Sequence, residues 1–490
     1  MHTINERVAL VMIPYLRPDF PPLSLALLKG ILNYEKIPNT TIDLNIYIKD
    51  HFNSEELADL ENFCSESICM DQKKTIKNIR KFFRFYIEKV LVPFQPTVVG
   101  LSLFSFFMQR TSELFALELR RYFPDVKIFA GGSGVTRFLN KNETDDWSKI
   151  VTSKKLIDHI IIGEGEEAIL DYIKFKKNKI EIVPQLHNFN LRERMPCYDD
   201  IDLTAYKNEA FLEFENQQLT VPITGSRGCV RKCSFCNVES LWPKYVFRSG
   251  ADIVDEMQHY IETVGIKNFK FTDSLVNGSN KAWRELNNEI VDRKLDLNYT
   301  GQFIAKPLGQ TTQHDYDMAQ KAGATKLFIG IESGSEAVRN HMGKKFNNIS
   351  LYDTIENLSE RNIMTHWMLI TGYPTETEED FEQTLQLIEK FKKYRDKITL
   401  SFVSFILLPD SPIAYQSKYD HIKFVKEHED RDLVNYWLYE NNPTLNFNER
   451  LRRFETARQF GLDCGYGTNI DKFKKTIMNV KETHVSQILS

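Results

Sequence analysis

Short apolar runs alternate with stretches of helical period through the first third of the chain. Five runs read as strands: 8-VALVMI-13, 41-TIDLNIYI-48, 97-TVVGLSLF-104, 126-VKIFAG-131 and 159-HIIIG-163. Between them, apolar positions spaced three and four apart predict helices over 22–35, 109–123 and 165–174, with a longer amphipathic stretch over 54–92. Such alternation predicts a parallel sheet with helices on both faces. In this doubly wound arrangement, ligands lie beyond the carboxyl ends of the strands.

Residues 176–218 lose the pattern, being lysine-rich and then turn-forming in 195-MPCYDDIDLTAY-206, and read as a linker. A second alternation starts at 219. Its strands are expected at 219–225, 267–273, 298–305, 326–333, 363–372 and 397–406, separated by helices over 250–264, 280–294, 312–322, 335–342 with 350–361, and 377–393. Six strand–helix units fit a partial (β/α)6 barrel with its active site at the carboxyl ends of the strands. Residues 411–490 are mixed and charged, with helices expected at 428–440 and 446–461. The expected α/β organisation is therefore a doubly wound domain over 1–175, a linker over 176–218, a barrel over 219–410 and a small, mostly helical C-terminal region over 411–490.

Composition narrows the class. A chain of 490 residues exceeds one ordinary core, and 42% apolar with 27% charged residues is a globular balance. A net charge of −4 gives no global field for a polyanion, so no nucleic-acid partner is expected. The basic run 73-KKTIKNIRKFFRFYIEKV-90 interleaves Phe82, Phe83, Phe85 and Tyr86 at helical spacing, which predicts an amphipathic helix docked on the sheet. The run 98-VVGLSLFSFFM-108 is far shorter than the ~18 residues of a membrane span. The start, MHTINERVALVMIP, shows no charged leader or cleavage signature, so the expected location is the cytoplasm.

Three of the seven cysteines fall within eight residues, in 224-TGSRGCVRKCSFCNVES-240. An odd, sparse cysteine set in a reducing compartment argues against disulfides. Cys229, Cys233 and Cys236 can hold three irons of a cubane cluster and leave the fourth open. The alternative is a zinc site completed by a histidine, Cys464 or Cys197, although zinc loops usually come as paired C-x2-C units and no second pair exists here. Gly225 and Gly228 suit a tight turn bringing N–H groups near a cluster, and Arg227, Arg231 and Lys232 add positive charge.

C-x3-C-F-x-C after the first strand of a six-unit barrel resembles the radical S-adenosylmethionine (SAM) superfamily. The resemblance spans roughly 220–415 and implies a [4Fe-4S] cluster on the three cysteines whose open iron chelates SAM. One-electron reduction then yields a 5′-deoxyadenosyl radical. Further segments match in order: 271-FTDSLVNGS-279, 330-GIESGS-335, 372-GYPTET-377 and 407-LLPDSPIAY-415, the last two departing from the family pattern at a glycine. The resemblance implies SAM contacts from Phe235, Asp273, Ser274, Glu332 and Ser333. His366 and Trp367 lie on opposite faces of the fifth strand, so only one can face the barrel lumen.

The first domain is similar to the cobalamin-binding class of that superfamily. Its matching segments are 21-PPLSLALLKGIL-32, 99-VGLSLF-104, 129-FAGGSGVT-136 and 158-DHIIIGEGEEAIL-170. The resemblance implies a Rossmann-like domain that holds cobalamin with Ser102, Gly131, Gly132, Gly163, Glu164 and Gly165. The glycine pair also fits a plain strand-to-helix turn. The D-x-H-x-x-G ligand motif is absent, a proline standing in 19-DFPPLS-24 where its histidine would be. The implied activity is cobalamin-dependent methyl transfer to an unactivated carbon of a small-molecule or peptide substrate, with a flavodoxin or ferredoxin as electron donor. The alternatives are a cobalamin-free or rearranging radical SAM enzyme, a methylthiotransferase, and a zinc-stabilised interaction protein. Trp437, Asn442 and Arg453 are candidate pocket or lid residues, and a helix pair packed on the barrel would use them equally well.

Overall fold

The computed structural model describes residues 6–15, 19–65, 72–135, 146–175, 180–183, 185, 191–192, 194–206, 219–408, 410–416, 421–424 and 437–468. The chain divides into two compact units, residues 1–223 with 255–268, and residues 224–254 with 269–490.

The first sheet comprises β1 (Val8–Met12), β2 (Asn39–Asp43), β3 (Val98–Ser102), β4 (Lys127–Gly131), β5 (His159–Ile162) and β6 (Ile180–Ile182), in the order β2-β1-β3-β4-β5-β6. All pairings are parallel. Strands β1 and β3 are unbroken apolar runs because helices cover both faces, and every residue of β1 is buried. The order reverses between β1 and β3, the switch point of a doubly wound sheet. Strand β2 ends at Asp43 rather than continuing to 48, because the Asp43 carboxylate accepts the Asn45 N–H and turns Leu44–Tyr47 into a 3₁₀ segment. The amphipathic stretch splits into helices Ser54–Cys64 and Gln72–Tyr86. The second buries Ile79, Phe82, Phe83 and Tyr86, the face its periodicity predicts.

The segment read as a linker is held to this unit where it is described. Strand β6 adds an edge to the sheet, the Cys197 N–H donates to the Ala26 carbonyl, and the Tyr206 hydroxyl donates to Asp43. Asp200 pairs with Lys29 at 3.0 Å. Polar side chains anchor this segment, so hydrophobic periodicity did not reveal it.

The second sheet comprises β7 (Thr220–Ile223), β8 (Asn268–Phe271), β9 (Asn298–Phe303), β10 (Ala324–Glu332), β11 (Met364–Thr371), β12 (Ile398–Ser404) and β13 (Gly467–Thr468). Their spatial order, β13-β12-β11-β10-β9-β8-β7, follows the chain, as a partial barrel built from successive strand–helix units requires. The intervening helices carry strong starts; Thr312 with Asp315 and Thr377 with Asp380 form capping boxes. Among its described residues, the C-terminal region has one long helix, Phe447–Asp463. The helix expected over 428–440 is not formed at its described end: Trp437–Tyr439 is a strand paired antiparallel with Ile422–Phe424, and 428–436 lie outside the described residues. Alternating burial of Trp437 and exposure of Leu438 fits a strand pleat, a period that the short window hid.

Candidate active site

Strand β7 leads into the cysteine segment, whose start is stiffened by a two-residue antiparallel pairing of Ser226–Arg227 with Val246–Phe247. Gly228 has φ +78°, and a Cβ there would lie 2.2 Å from the Lys244 carbonyl oxygen, so the turn admits only glycine. The Gly225 N–H does not point at the cysteines; it donates to Asp273 Oδ1 at 2.7 Å. Asp273 Oδ2 accepts from the Ser226 hydroxyl at 2.6 Å. Asp273 is buried, and burial lifts its pKa to about 6 against the opposing pull of these hydrogen bonds and Arg248. Both carboxylate oxygens therefore grip the base of the loop and position it. Ser274 follows it, half-buried, in the turn after β8.

Cys233 is buried, Cys229 and Cys236 are half-buried, and all three are free thiols. The Arg231 N–H donates to Cys229 Sγ at 3.4 Å. Burial pushes the Cys233 thiol up to about 11, Lys344 opposing and the neighbouring cysteines and Glu332 adding to the shift; burial also raises Cys236. Thiols raised by burial, as at Cys233 and Cys236, need a cation nearby to become thiolates, and iron would supply one. Among the described residues, no three His, Cys, Asp or Glu side chains close on one point as a single metal ion requires. Three sulfurs around the corner of a cubane do not need that closure, so the triad fits a cluster.

The loop docks on the next layer at Ser234, whose N–H donates to the Met342 carbonyl and whose hydroxyl lies 2.8 Å from that of Tyr373. Helix Glu336–Met342 ends at Gly343 with φ +84°, and Lys344 follows. Lys344 is the residue that sequence reasoning missed. Its buried Nζ donates to Glu332 Oε1 at 2.6 Å and lies 5.6 Å from the centre of the Phe235 ring. Burial works against its charge, but Glu332, Cys233 and Cys236 more than offset that and raise its pKa. The available signal was 343-GKKF-346, two lysines directly after the helix that follows 330-GIESGS-335.

Glu332 reaches this pair through an unusual backbone, with φ +67° and a register shift between Gly330 and Glu332 where β10 meets β11. A Cβ at Gly330 would meet Glu332 Oε1 at 2.6 Å and Lys344 Nζ at 2.8 Å, so the ion pair occupies the space glycine leaves. Ser333 is fully buried; its hydroxyl accepts the Ser335 N–H at 3.1 Å, and its carbonyl accepts from Arg339 at 2.6 Å. That hydroxyl shapes the turn. Of the residues singled out for SAM, Phe235 and Glu332 stand with the cysteines around Lys344, Asp273 and Ser333 support the backbone, and Ser274 lies in the β8 turn.

The C-terminal candidates divide. Trp437 packs edge-on against Phe405 and under Arg450, whose guanidinium lies 4.0 Å from a Trp437 ring centre. Arg453 pairs with buried Glu376 at 2.9 Å. Both are core contacts, and Asn442 sits in the turn before the long helix, its N–H donating to the Tyr439 carbonyl.

In the first unit, the residues singled out for cobalamin share one rim, the carboxyl ends of β3, β4 and β5. The Ser102 hydroxyl lies 3.1 Å from that of Ser24. Gly132 has φ +100°, and a Cβ there would lie 2.4 Å from the Leu103 carbonyl oxygen; Gly163 has φ +111° and would meet the Val183 carbonyl oxygen at 2.5 Å. The chain's own backbone explains these two glycines. Gly131 and Gly165 face only ordinary contacts at 3.6 and 3.5 Å, so nothing in the fold forbids a side chain there. Glu164 is buried between the two turn glycines.

Residues 223–388 match the family model of the radical SAM superfamily. Among curated proteins, the chain is 23% identical over 284 residues to the anaerobic magnesium-protoporphyrin IX monomethyl ester cyclase of Synechocystis sp.. It is 26% identical over 171 residues to tRNA-2-methylthio-N(6)-dimethylallyladenosine synthase of Staphylococcus aureus. It spans 54% of the length of the first and 33% of the second. Among solved structures, the radical SAM methyltransferase TsrM from Kitasatospora setae, with cobalamin and a [4Fe-4S] cluster bound, superposes with a TM-score of 0.60 at 18% identity, over 88% of this chain and 82% of that one. The cobalamin-dependent SAM radical enzyme OxsB, with aqua-cobalamin and SAM bound, gives 0.66 at 14% identity, over 92% and 66%. No helix among the described residues is long and apolar enough to cross a membrane. Residues 223–388 thus match a radical SAM domain, and the Rossmann-like domain and partial barrel of this chain have the fold of these two cobalamin-dependent radical SAM enzymes.

Proposed function

We propose that this chain is a [4Fe-4S]- and cobalamin-dependent radical SAM enzyme that methylates an unactivated carbon of a small-molecule substrate. In this reading residues 1–175 form the corrinoid domain, 219–410 the barrel that handles SAM, and 411–490 a C-terminal appendage. The observation that carries it is the free thiol triad of Cys229, Cys233 and Cys236 beside a buried lysine, on the loop after the first strand of the barrel sheet. Two-domain superposition on TsrM and OxsB supports the corrinoid part, as do Gly131 and Gly165, whose missing side chains the fold does not demand.

When bound, the cluster supplies one electron to the sulfonium of SAM, and cobalamin carries the methyl group. The chain's residues prepare the place. Asp273 and the Ser226–Arg227 pairing hold the start of the loop, while Ser234 ties its middle to the helix ending at Met342. Lys344 sets a positive charge beside the cysteines that would hold the cluster, and that charge would ease its reduction. Glu332 fixes that ammonium and, with Phe235, lines the space SAM would enter. A reduced flavodoxin or ferredoxin would supply the electron.

Anaerobic purification with hydroxocobalamin, followed by assays of 5′-deoxyadenosine and of corrinoid content, tests both parts. Four irons, SAM cleavage and stoichiometric corrinoid are the expected result. A second reading, radical chemistry that cyclises or rearranges without methyl transfer, is favoured by the match to a cyclase over 55% of this chain. It predicts SAM cleavage without transfer of a labelled methyl group.

A further inference from the structure

Ser234 ties the cysteine loop to three separate elements of its unit. It lies between Cys233 and Phe235, in a turn closed by the Cys236 N–H, which donates to the Cys233 carbonyl at 3.1 Å. The Ser234 N–H donates to the Met342 carbonyl at 3.0 Å, and its carbonyl accepts the Ile413 N–H at 2.7 Å. Its hydroxyl lies 2.8 Å from that of Tyr373, which stands two residues beyond β11 and is fully buried. The Tyr373 ring meets Phe405 edge-on at 5.1 Å, and Phe405 meets Trp437 edge-on at 5.2 Å. Phe235 packs against the same apolar core.

Packing accounts for the Tyr373 ring, since phenylalanine would meet Phe405 equally well, but not for its hydroxyl. That hydroxyl meets Ser234 on one side and His341 on the other, 2.9 Å from Nδ1, in the exposed last turn of the helix Glu336–Met342. A phenol donates one hydrogen bond while accepting another, so it can serve both neighbours at once. The turn that bears Tyr373 is fixed in its turn by the C-terminal helix. The Glu376 N–H donates to the Tyr373 carbonyl at 2.8 Å, and Glu376 Oε1 accepts from the Gly372 N–H and from Arg453, each at 2.9 Å. Gly372 has φ +71°, and a Cβ there would lie 2.6 Å from Arg450 Cγ, so Arg450 fills the space the glycine leaves. Held on these sides, the phenol can pass its own position to the turn that carries Cys233, Phe235 and Cys236.

We propose that Tyr373 is a positioning residue of the cysteine loop: through Ser234, its hydroxyl sets the orientation in which the loop presents Phe235 and the cluster to SAM. This rests on the radical SAM reading and goes beyond it. The test compares wild type, Tyr373→Phe, Ser234→Ala and the double change as anaerobically reconstituted full chains. Iron content, calorimetric affinity of the oxidised cluster form for SAM, and the kinetics of 5′-deoxyadenosine formation are measured on each. Each single change should keep the wild-type iron content, weaken SAM binding at least about fivefold and raise the KM for SAM to match, with kcat within about twofold. The double change should bind SAM no more than about twofold worse than the weaker single, because both remove the same contact. If Tyr373→Phe fails to fold by circular dichroism, Ser234→Ala combined with His341→Leu carries the same comparison. Losses that multiply in the double change, wild-type SAM affinity without the hydroxyl, iron loss from a folded Tyr373→Phe, or a fall in kcat at unchanged KM overturns the role. A wild type that assembles no four-iron cluster or binds no SAM overturns the reaction assigned above, and this role with it.

Discussion

The cysteine loop and the glycine rim of the first unit are both built at the carboxyl ends of parallel strands, yet they reveal function differently. Around the cysteines, the fold makes sacrifices that packing does not explain: a buried Lys344–Glu332 pair, a left-handed Glu332 and three thiols held beside them. Buried charges are costly, and a left-handed non-glycine residue adds about 1–3 kcal/mol of strain. Along the glycine rim, Gly132 and Gly163 are explained by neighbouring carbonyls alone, and only Gly131 and Gly165 are left over. A site made of side chains announces itself by what it costs the fold. A site made of bare backbone resembles an ordinary turn.

The contrast can be broken most directly at the cysteines. Changing Cys229, Cys233 or Cys236 to alanine should reduce iron to background and lower 5′-deoxyadenosine formation at least a thousandfold; activity that persists with the iron gone would refute the cluster assignment. Lys344→Met should come next, costing about 3–5 kcal/mol in anaerobic guanidinium unfolding because Glu332 is left buried and unpaired. If Lys344→Met with Glu332→Gln recovers most of that loss, the pair matters to the fold as a unit.

Asp273 offers a pH test. Its folded pKa of about 6 exceeds the unfolded 3.8, so the folded state holds this proton more tightly. Its contribution is fully present below pH 3.8 and is lost as pH rises through 6, by about 3 kcal/mol at most. The stability difference between wild type and Asp273→Asn should therefore drift across that window and flatten above it; a flat difference throughout would show the proton is not held. The smallest effects sharpen the other side. Gly132→Ala should cost about 1–3 kcal/mol through strain and the Leu103 carbonyl. Gly131→Ala should leave the melting temperature within about 2 °C, a change near 0.5 kcal/mol. In the cobalamin reading, Gly131→Ala still lowers retained corrinoid; unchanged retention would assign the glycine pair to the turn alone.

Much of this was legible beforehand. The barrel strands fall where apolar runs predict them because β-sheet interiors need continuous hydrophobic segments, as in Leu327, Ile329 and Ile331, all fully buried. The tie of Tyr206 to Asp43 and the Trp437–Tyr439 strand were illegible, since one is a polar contact between distant residues and the other a three-residue pleat. At the site, the cysteine spacing was sufficient to locate the loop. The hydrogen bonds of Asp273 to Gly225 and Ser226 were not readable, because a carboxylate at a strand end looks alike whether it meets a ligand or its own backbone. Likewise, the alternation of β11 sets His366 and Trp367 on opposite faces but cannot say which faces inward.

By itself, the sequence determined the order of strands and helices, the two-sheet organisation and the three cysteines, because periodicity and short spacing are local properties that the chain carries with it. Only the tertiary structure decided that Lys344 stands beside the thiols, that Asp273 grips Gly225, that His366 meets Phe328 while Trp367 packs on Phe391, and that Tyr373 reaches Ser234. These are meetings between strands and loops remote in sequence. Their partners are chosen by register and packing, which no local pattern encodes.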